Sequence, residues 1–227
     1  MVDDLGDAPA RKEMWYCPWL GKENEFTISN DMLKNGEIPK MLAHYFGNSA
    51  LYAGELERAT KEFFDESVLP PSEELTQGLF SEWFLHVFRL KNGDRVIDDF
   101  CARNPLRLSR EDLKVYEALR QSVYGLFEVI DVERNVGLRI EGITTRRSFF
   151  VHEKLGTHDV KPGHTIFARV AHIGDHDELV GANSPVLPIQ MASSVREYWR
   201  EVRESDPLTP KHAAILLAGI DRRNRRW

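Results

Sequence analysis

Leu108 to Glu133 read LSREDLKVYEALRQSVYGLFEVIDVE, and the period of the apolar residues changes halfway along. In the first half Leu113, Tyr116, Leu119 and Val123 recur on one helical face. Ser109 stands where an N-cap belongs, Asp112 is at the capping-box distance, and acids fill the first turn, where they face the positive end of the helix dipole. Gly125 then releases the chain into FEVIDVE, which alternates like a strand. A helix that hands over directly to strands predicts an α+β fold.

Downstream of this junction the strands continue. LRIEGI follows a turn at Arg134 to Gly137, SFFVHE follows a turn near Thr144-Thr145, TIFARVAHI follows a loop ending in Lys161-Pro162-Gly163, and ELVG follows Gly174-Asp175. Five short strands with tight turns predict a small antiparallel curled sheet or barrel, because closure removes exposed edges. OB-like and SH3-like barrels share this pattern.

Upstream the period is helical. Ile38, Met41, Leu42, Tyr45 and Phe46 form one stripe, with Pro39 in the first turn and Gly47 at the stop. A second helix is expected over about 49–68, closed by Pro70-Pro71, and a third over about 72–90, with Leu79, Phe80, Trp83, Phe84, Val87 and Phe88 on a wide core face and His86 off it in solvent. A short helix through Val96, Ile97 and Phe100 comes next. After the strands, Ser193 or Ser194 caps a helix bearing Val195, Tyr198, Trp199 and Val202, and Thr209-Pro210 opens the last one. The expected organisation is an N-terminal arm over 1–26, a helical region over 27–107, the capped helix with its β module over 108–190, and C-terminal helices with a basic tail over 191–227.

Composition sets bounds on function. At 227 residues and 42% hydrophobic content the chain has apolar surface for a substantial core. Cys17 and Cys101 lie far apart, so no disulfide framework or thiolate zinc site is expected, and a reducing cytoplasm fits. No run approaches the ~20 apolar residues of a membrane span, and the start lacks the features of a secretory leader. The net charge of -6 opposes indiscriminate nucleic-acid binding but is unevenly spread. Residues 50–82 hold eight acids against Arg58 and Lys61, whereas residues 134–172 hold seven Lys or Arg against three acids.

FSEWFLHVFRL, the capped helix running into SVYGLFEVIDVERNVGLRI, then FFVHE, KPGHTIFARV and LVG lie in this order between Phe80 and Gly181. In these segments the chain resembles a group of uncharacterised bacterial proteins often linked to a C-terminal SEC-C zinc motif. The resemblance implies a helical lead-in followed by a small β module, and it brings no catalytic residues. DRRNRRW stands where that group carries its cysteine-rich knuckle.

Candidate chemistry concentrates in the β module. His152, His158, His164, His172 and His176 are five of the eight histidines. In AHIGDHDELVG, a metal set of His172, His176 and Asp175 is one reading, and a solvated hairpin tip is the other. His152-Glu153 lacks the second histidine that a zinc-protease helix needs, and Asp159-Val160-Lys161 is too short a match for a nuclease site. No phosphate loop, nucleotide fingerprint or nucleophile elbow is present, so neither a cofactor nor a catalytic residue is assigned. Arg146 and Arg147, read as part of the sheet beside Phe149 and Phe150, offer the basic and aromatic mixture that suits RNA or single-stranded DNA. Arg222, Arg223, Arg225 and Arg226 add phosphate contacts or cap the last helix. The sequence therefore predicts an intracellular binding or adaptor protein, with nucleic acid the first partner class to test. The alternatives are a metal-dependent hydrolase and a purely protein-binding adaptor.

Overall fold

The computed structural model of the chain describes residues 14–15, 24–25, 36–64, 73–180, 186–187, 189, 191, 195–196 and 209–224. They form two compact units, 1–60 and 61–227. In the first, β1 (Met14–Trp15) pairs antiparallel with β2 (Asn24–Glu25). Helix α1 (Glu37–Gly47) buries Met41, Leu42, Tyr45 and Phe46 as the stripe predicts, and α2 (Ser49–Phe63) follows after Asn48. Tyr45 and Tyr52 meet across this turn with ring centroids 4.7 Å apart.

The second unit begins at the end of α2, where Phe63 packs against Phe80 and Trp83 of α3 (Glu73–His86). This aromatic group continues through Phe84 to Phe88. His86, expected in solvent, is instead buried, because the second half of α3 is covered on every side and leaves no outer face. Helix α3 stops short of Leu90 because a tight turn intervenes: Leu90 N–H donates to the Asp94 carbonyl and Gly93, at φ 90°, returns the chain. Then come α4 (Val96–Arg103) and α5 (Arg110–Arg120), joined through Asn104 in the left-handed region. Phe100 and Tyr116 stack between them at 5.1 Å. The expected cap is in place, with Ser109 Oγ accepting from Asp112 N–H at 3.1 Å. The last helix, α6 (Pro210–Asn224), packs on α3 and ties back through Lys211 Nζ, which donates to the Glu62 carbonyl. The helix expected from Met191 lies largely outside the described residues, as do the side chains of the N-terminal arm. No helix among the described residues is long and apolar enough to cross a membrane.

Strands β3 (Val123–Glu133), β4 (Gly137–Gly142), β5 (Ser148–His152), β6 (Thr165–Ile173) and β7 (His176–Val180) close into a barrel, and β8 (Val186–Leu187) adds to β6. Closure depends on the length of β3. Its first half pairs with β6 and its second with β4, the two overlapping at Phe127 and Glu128, and a bulge at Ile130 interrupts the pairing with β4. The ring runs β3-β4-β5-β7-β6 and back to β3. One seam differs from the expected meander, since β5 and β7 run parallel and the sheet is mixed. In barrel order this is 1-2-3-5-4-1 with strands 3 and 5 parallel, the OB-type arrangement rather than an all-antiparallel SH3-type one. Phe127, Val129, Leu138, Ile140, Val151, Ile166, Ala168 and Val170 fill the interior.

The outer surface of the barrel has two characters. Along β6 it is buried, and Leu126 of β3 is buried opposite Phe167. Here α3 reaches β6 through a buried ion pair, Glu82 Oε2 to Arg169 Nε at 2.6 Å. The outer surface of β4, β5 and β7 instead carries exposed and half-buried side chains.

Candidate nucleic-acid interface

Strand β5 shows how this surface is made. Because successive residues point to opposite faces, Phe149 and Val151 turn into the barrel, while Ser148, Phe150 and His152 turn out. The two phenylalanines thus separate. Phe149 packs edge-on against Phe127 at 5.8 Å, and Phe150 lies half-exposed on the outer face. Register places Arg139 of β4 directly opposite Phe150, its guanidinium carbon 6.0 Å from the ring centroid. Beneath the ring is Gly137, where a Cβ would come within 3.0 Å of Phe150 Cζ.

The surface continues along and across the strands. His152 meets the edge of Phe150 with centroids 5.7 Å apart. The parallel seam then brings β7 alongside, and the rings of His152 and His176 approach to 4.6 Å. Arg139, Phe150, His152 and His176 therefore form a continuous cationic and aromatic strip over three strands.

Arg146 and Arg147 belong to the connection between β4 and β5, not to the sheet as expected. Arg146 sits in the left-handed region at φ 55°, and its guanidinium pairs with Glu141 Oε1 at 2.9 Å. Arg147 holds its guanidinium 5.3 Å from the Phe149 ring centroid, over the end of the barrel. Arg222 and Arg223 fall within α6, their side chains outside the described set, and Arg225 and Arg226 lie outside it altogether.

His172 and His176 do not converge. On β6 and β7, His172 stands opposite Asp177 and His176 opposite Ile173, so the two imidazoles occupy opposite faces. His172 Nδ1 contacts Asp177 Oδ1 at 3.0 Å. His176 contacts Asp175 and Glu178, at 2.9 and 2.7 Å. The bond to Asp175 first, and then that to Glu178, hold the His176 imidazole above the usual histidine range, and the same contact with His176 lowers Asp175. No three His, Cys, Asp or Glu side chains among the described residues are placed to hold a metal ion.

Two features escape a linear reading. Arg139 carries no motif, and only the parity of β4 and β5 would have put it on one face with Phe150 and with His152, which the sequence offers only as one of five clustered histidines. His158 ties the β5–β6 connection to the β3–β4 turn, through Asn135 Oδ1 at 2.8 Å and the Arg134 guanidinium at 3.1 Å. Asn135 N–H also donates to Thr157 Oγ1 at 3.0 Å. These bonds fix the rim beside His152, which pairs with Gly137 at the end of the same turn. Against protein-family models, curated proteins and solved structures the chain finds no match.

Proposed function

We propose that the chain binds single-stranded nucleic acid, RNA or single-stranded DNA, on the outer face of β4, β5 and β7, acting as a binding protein and not an enzyme. The observation that carries this reading is the strip of Arg139, Phe150, His152 and His176 over the second, third and fifth strands of an OB-type barrel. The face of strands two and three is where barrels of this class hold oligonucleotides. Phe150 gives a base a flat partner that is indifferent to sequence, and Arg139 beside it neutralises phosphate. Glu141, Asp175 and Glu178 border the strip, so stacking contributes more to binding than charge does. Arg147, at the end of the barrel, and the tail arginines Arg222, Arg223, Arg225 and Arg226 supply further phosphate contacts.

Fluorescence anisotropy with labelled single strands and duplexes of the same sequence tests this. Single strands should bind more tightly than duplexes, with an affinity that falls as salt rises. Phe150→Ala should weaken binding by roughly tenfold or more, since stacking on one ring is worth about 1–3 kcal/mol. Arg139→Ala should weaken it and flatten the salt dependence. Absence of binding at low salt, or an unchanged affinity in Phe150→Ala, would rule the reading out.

A further inference from the structure

The placement of His176 says something about when such a face can bind. A carboxylate oxygen lies against each ring nitrogen, Asp175 Oδ1 at 2.9 Å from Nδ1 and Glu178 Oε1 at 2.7 Å from Nε2. A neutral imidazole has one N–H and one bare lone pair, so it donates to only one of these oxygens. Its other nitrogen would then face a carboxylate lone pair at hydrogen-bond distance. Imidazolium donates to both, and bonds from a cation to carboxylates are the strong ones. The geometry is therefore satisfied by the protonated ring.

The charged and titratable groups around this ring are few. Asp175 faces it from the turn, Glu178 from its own strand and His152 from β5. From β6 its register partner is the apolar Ile173, and His172 with Asp177 lies on the other face. With the proton present, Asp175, His176 and Glu178 together carry one negative charge, and both carboxylates are held by the ring. Without it they carry two, and one carboxylate loses its hydrogen bond beside His152, within the face that a phosphate would approach. Like charges in that position oppose binding.

From this we infer that His176 is a proton-operated part of the nucleic-acid face, which holds a strand while the ring is imidazolium and releases it when the proton leaves. The inference rests on the reading of the face as a nucleic-acid site. It distinguishes His176 from Arg139, whose charge is constant across the physiological range.

The test uses the full chain and a single-stranded oligonucleotide carrying a pH-insensitive dye, at constant ionic strength. Affinity should fall roughly five- to tenfold between about pH 6 and about pH 8.5, as expected for losing one exposed cation and freeing its partners. His176→Gln, which keeps a polar side chain but no titrating charge, should flatten the profile. His172→Gln, on the opposite face, should leave it unchanged. Proton NMR of the unliganded protein gives a second readout: the His176 ring should titrate above the ordinary histidine range, and Asp175→Asn with Glu178→Gln should bring it back down. Binding that is equally tight at every pH, or that keeps its pH dependence in His176→Gln, overturns the inference and leaves the nucleic-acid reading standing. Absence of binding at every pH overturns both.

Discussion

The fold buries His86, a titratable side chain. It is 5% exposed at the end of α3, and neither ring nitrogen has a hydrogen-bond partner. Burial, and then the positive charges of Arg169 and Arg95, hold its basicity well below the usual histidine value. The folded protein thus keeps His86 neutral while the unfolded chain protonates it below about pH 6.5, so stability falls as pH drops through that point. The slope approaches ~1.4 kcal/mol per pH unit until the folded state also takes up the proton. His176 acts the other way and in a different window. Its raised basicity gives a contribution that is complete below about pH 6.5 and is lost as pH rises through the folded value. Urea denaturation between about pH 5 and about pH 8 should show the acid-side loss in the native protein, and a shallower one in His86→Leu. At neutral pH this substitution should be close to neutral, because it replaces an unsatisfied polar group with an apolar one of similar size. An unchanged acid limb in His86→Leu would show that other groups carry it. Cys101 belongs to the same scale: its thiol is pushed up to about 11, by burial first and then by Glu117, and this leaves it inert at physiological pH.

Among the elements, the pairing of β4 with β5 determines whether the proposed face exists. Gly137 opens β4, and a Cβ there would stand 2.3 Å from the Val151 carbonyl oxygen as well as against the Phe150 ring. The carbonyl is backbone and cannot swing aside. Gly137→Ala should therefore open this end of the pair at a cost of about 1–3 kcal/mol in thermal or urea denaturation, and displace Phe150 enough to weaken oligonucleotide binding in the folded fraction. Gly47, where an added methyl would meet nothing within 4 Å, offers the contrast: Gly47→Ala should be neutral or stabilising by up to about 1 kcal/mol. The elements themselves are largely legible in the sequence where their signals are local. The Ser109 cap, the return at Gly174-Asp175 and the span of β6 all depend on residues within a turn of one another. The β5–β7 seam is different, because Val151 pairs with Asp177 across 26 positions and a parallel pair alternates in the same period as an antiparallel one. Arg146 and Arg147 look like strand residues from their neighbours, yet the turn needs five residues, and Arg146 takes the left-handed position within it. The candidate face follows from that seam, which is why Phe150, His152 and His176 stand out in the sequence for separate reasons, while Arg139 and the placement of all four on one face do not emerge before the strands are closed.

For the second unit as a whole, the question is what fixes its helices on the barrel. Apolar contacts such as Phe167 under the helical layer favour burial but tolerate sliding. The Glu82–Arg169 pair does not. The two side chains are 3% and 5% exposed and meet at 2.6 Å. Arg169 also donates to Ser122 Oγ at 3.1 Å and lies over the Tyr124 ring at 5.5 Å, so it links α3 to both β6 and the start of β3. Tyr124, whose hydroxyl is buried, has its ionisation pushed up by burial and then by Glu82, which keeps this neighbour neutral. This contact joins residues 87 positions apart, each a lone charge within an otherwise apolar run, so that nothing local in the sequence pairs one with the other. A buried pair of this kind contributes little compared with apolar side chains of the same size, but breaking it strands a charge. Arg169→Met should therefore destabilise by about 3–5 kcal/mol, and Glu82→Leu by a similar amount. The double variant should recover most of either loss, giving a coupling energy well outside the ~0.5 kcal/mol scatter of independent sites. If each single change cost under about 1 kcal/mol in urea denaturation at neutral pH, the pair would be solvated in practice, and the docking of α3 would have to come from its aromatic face alone.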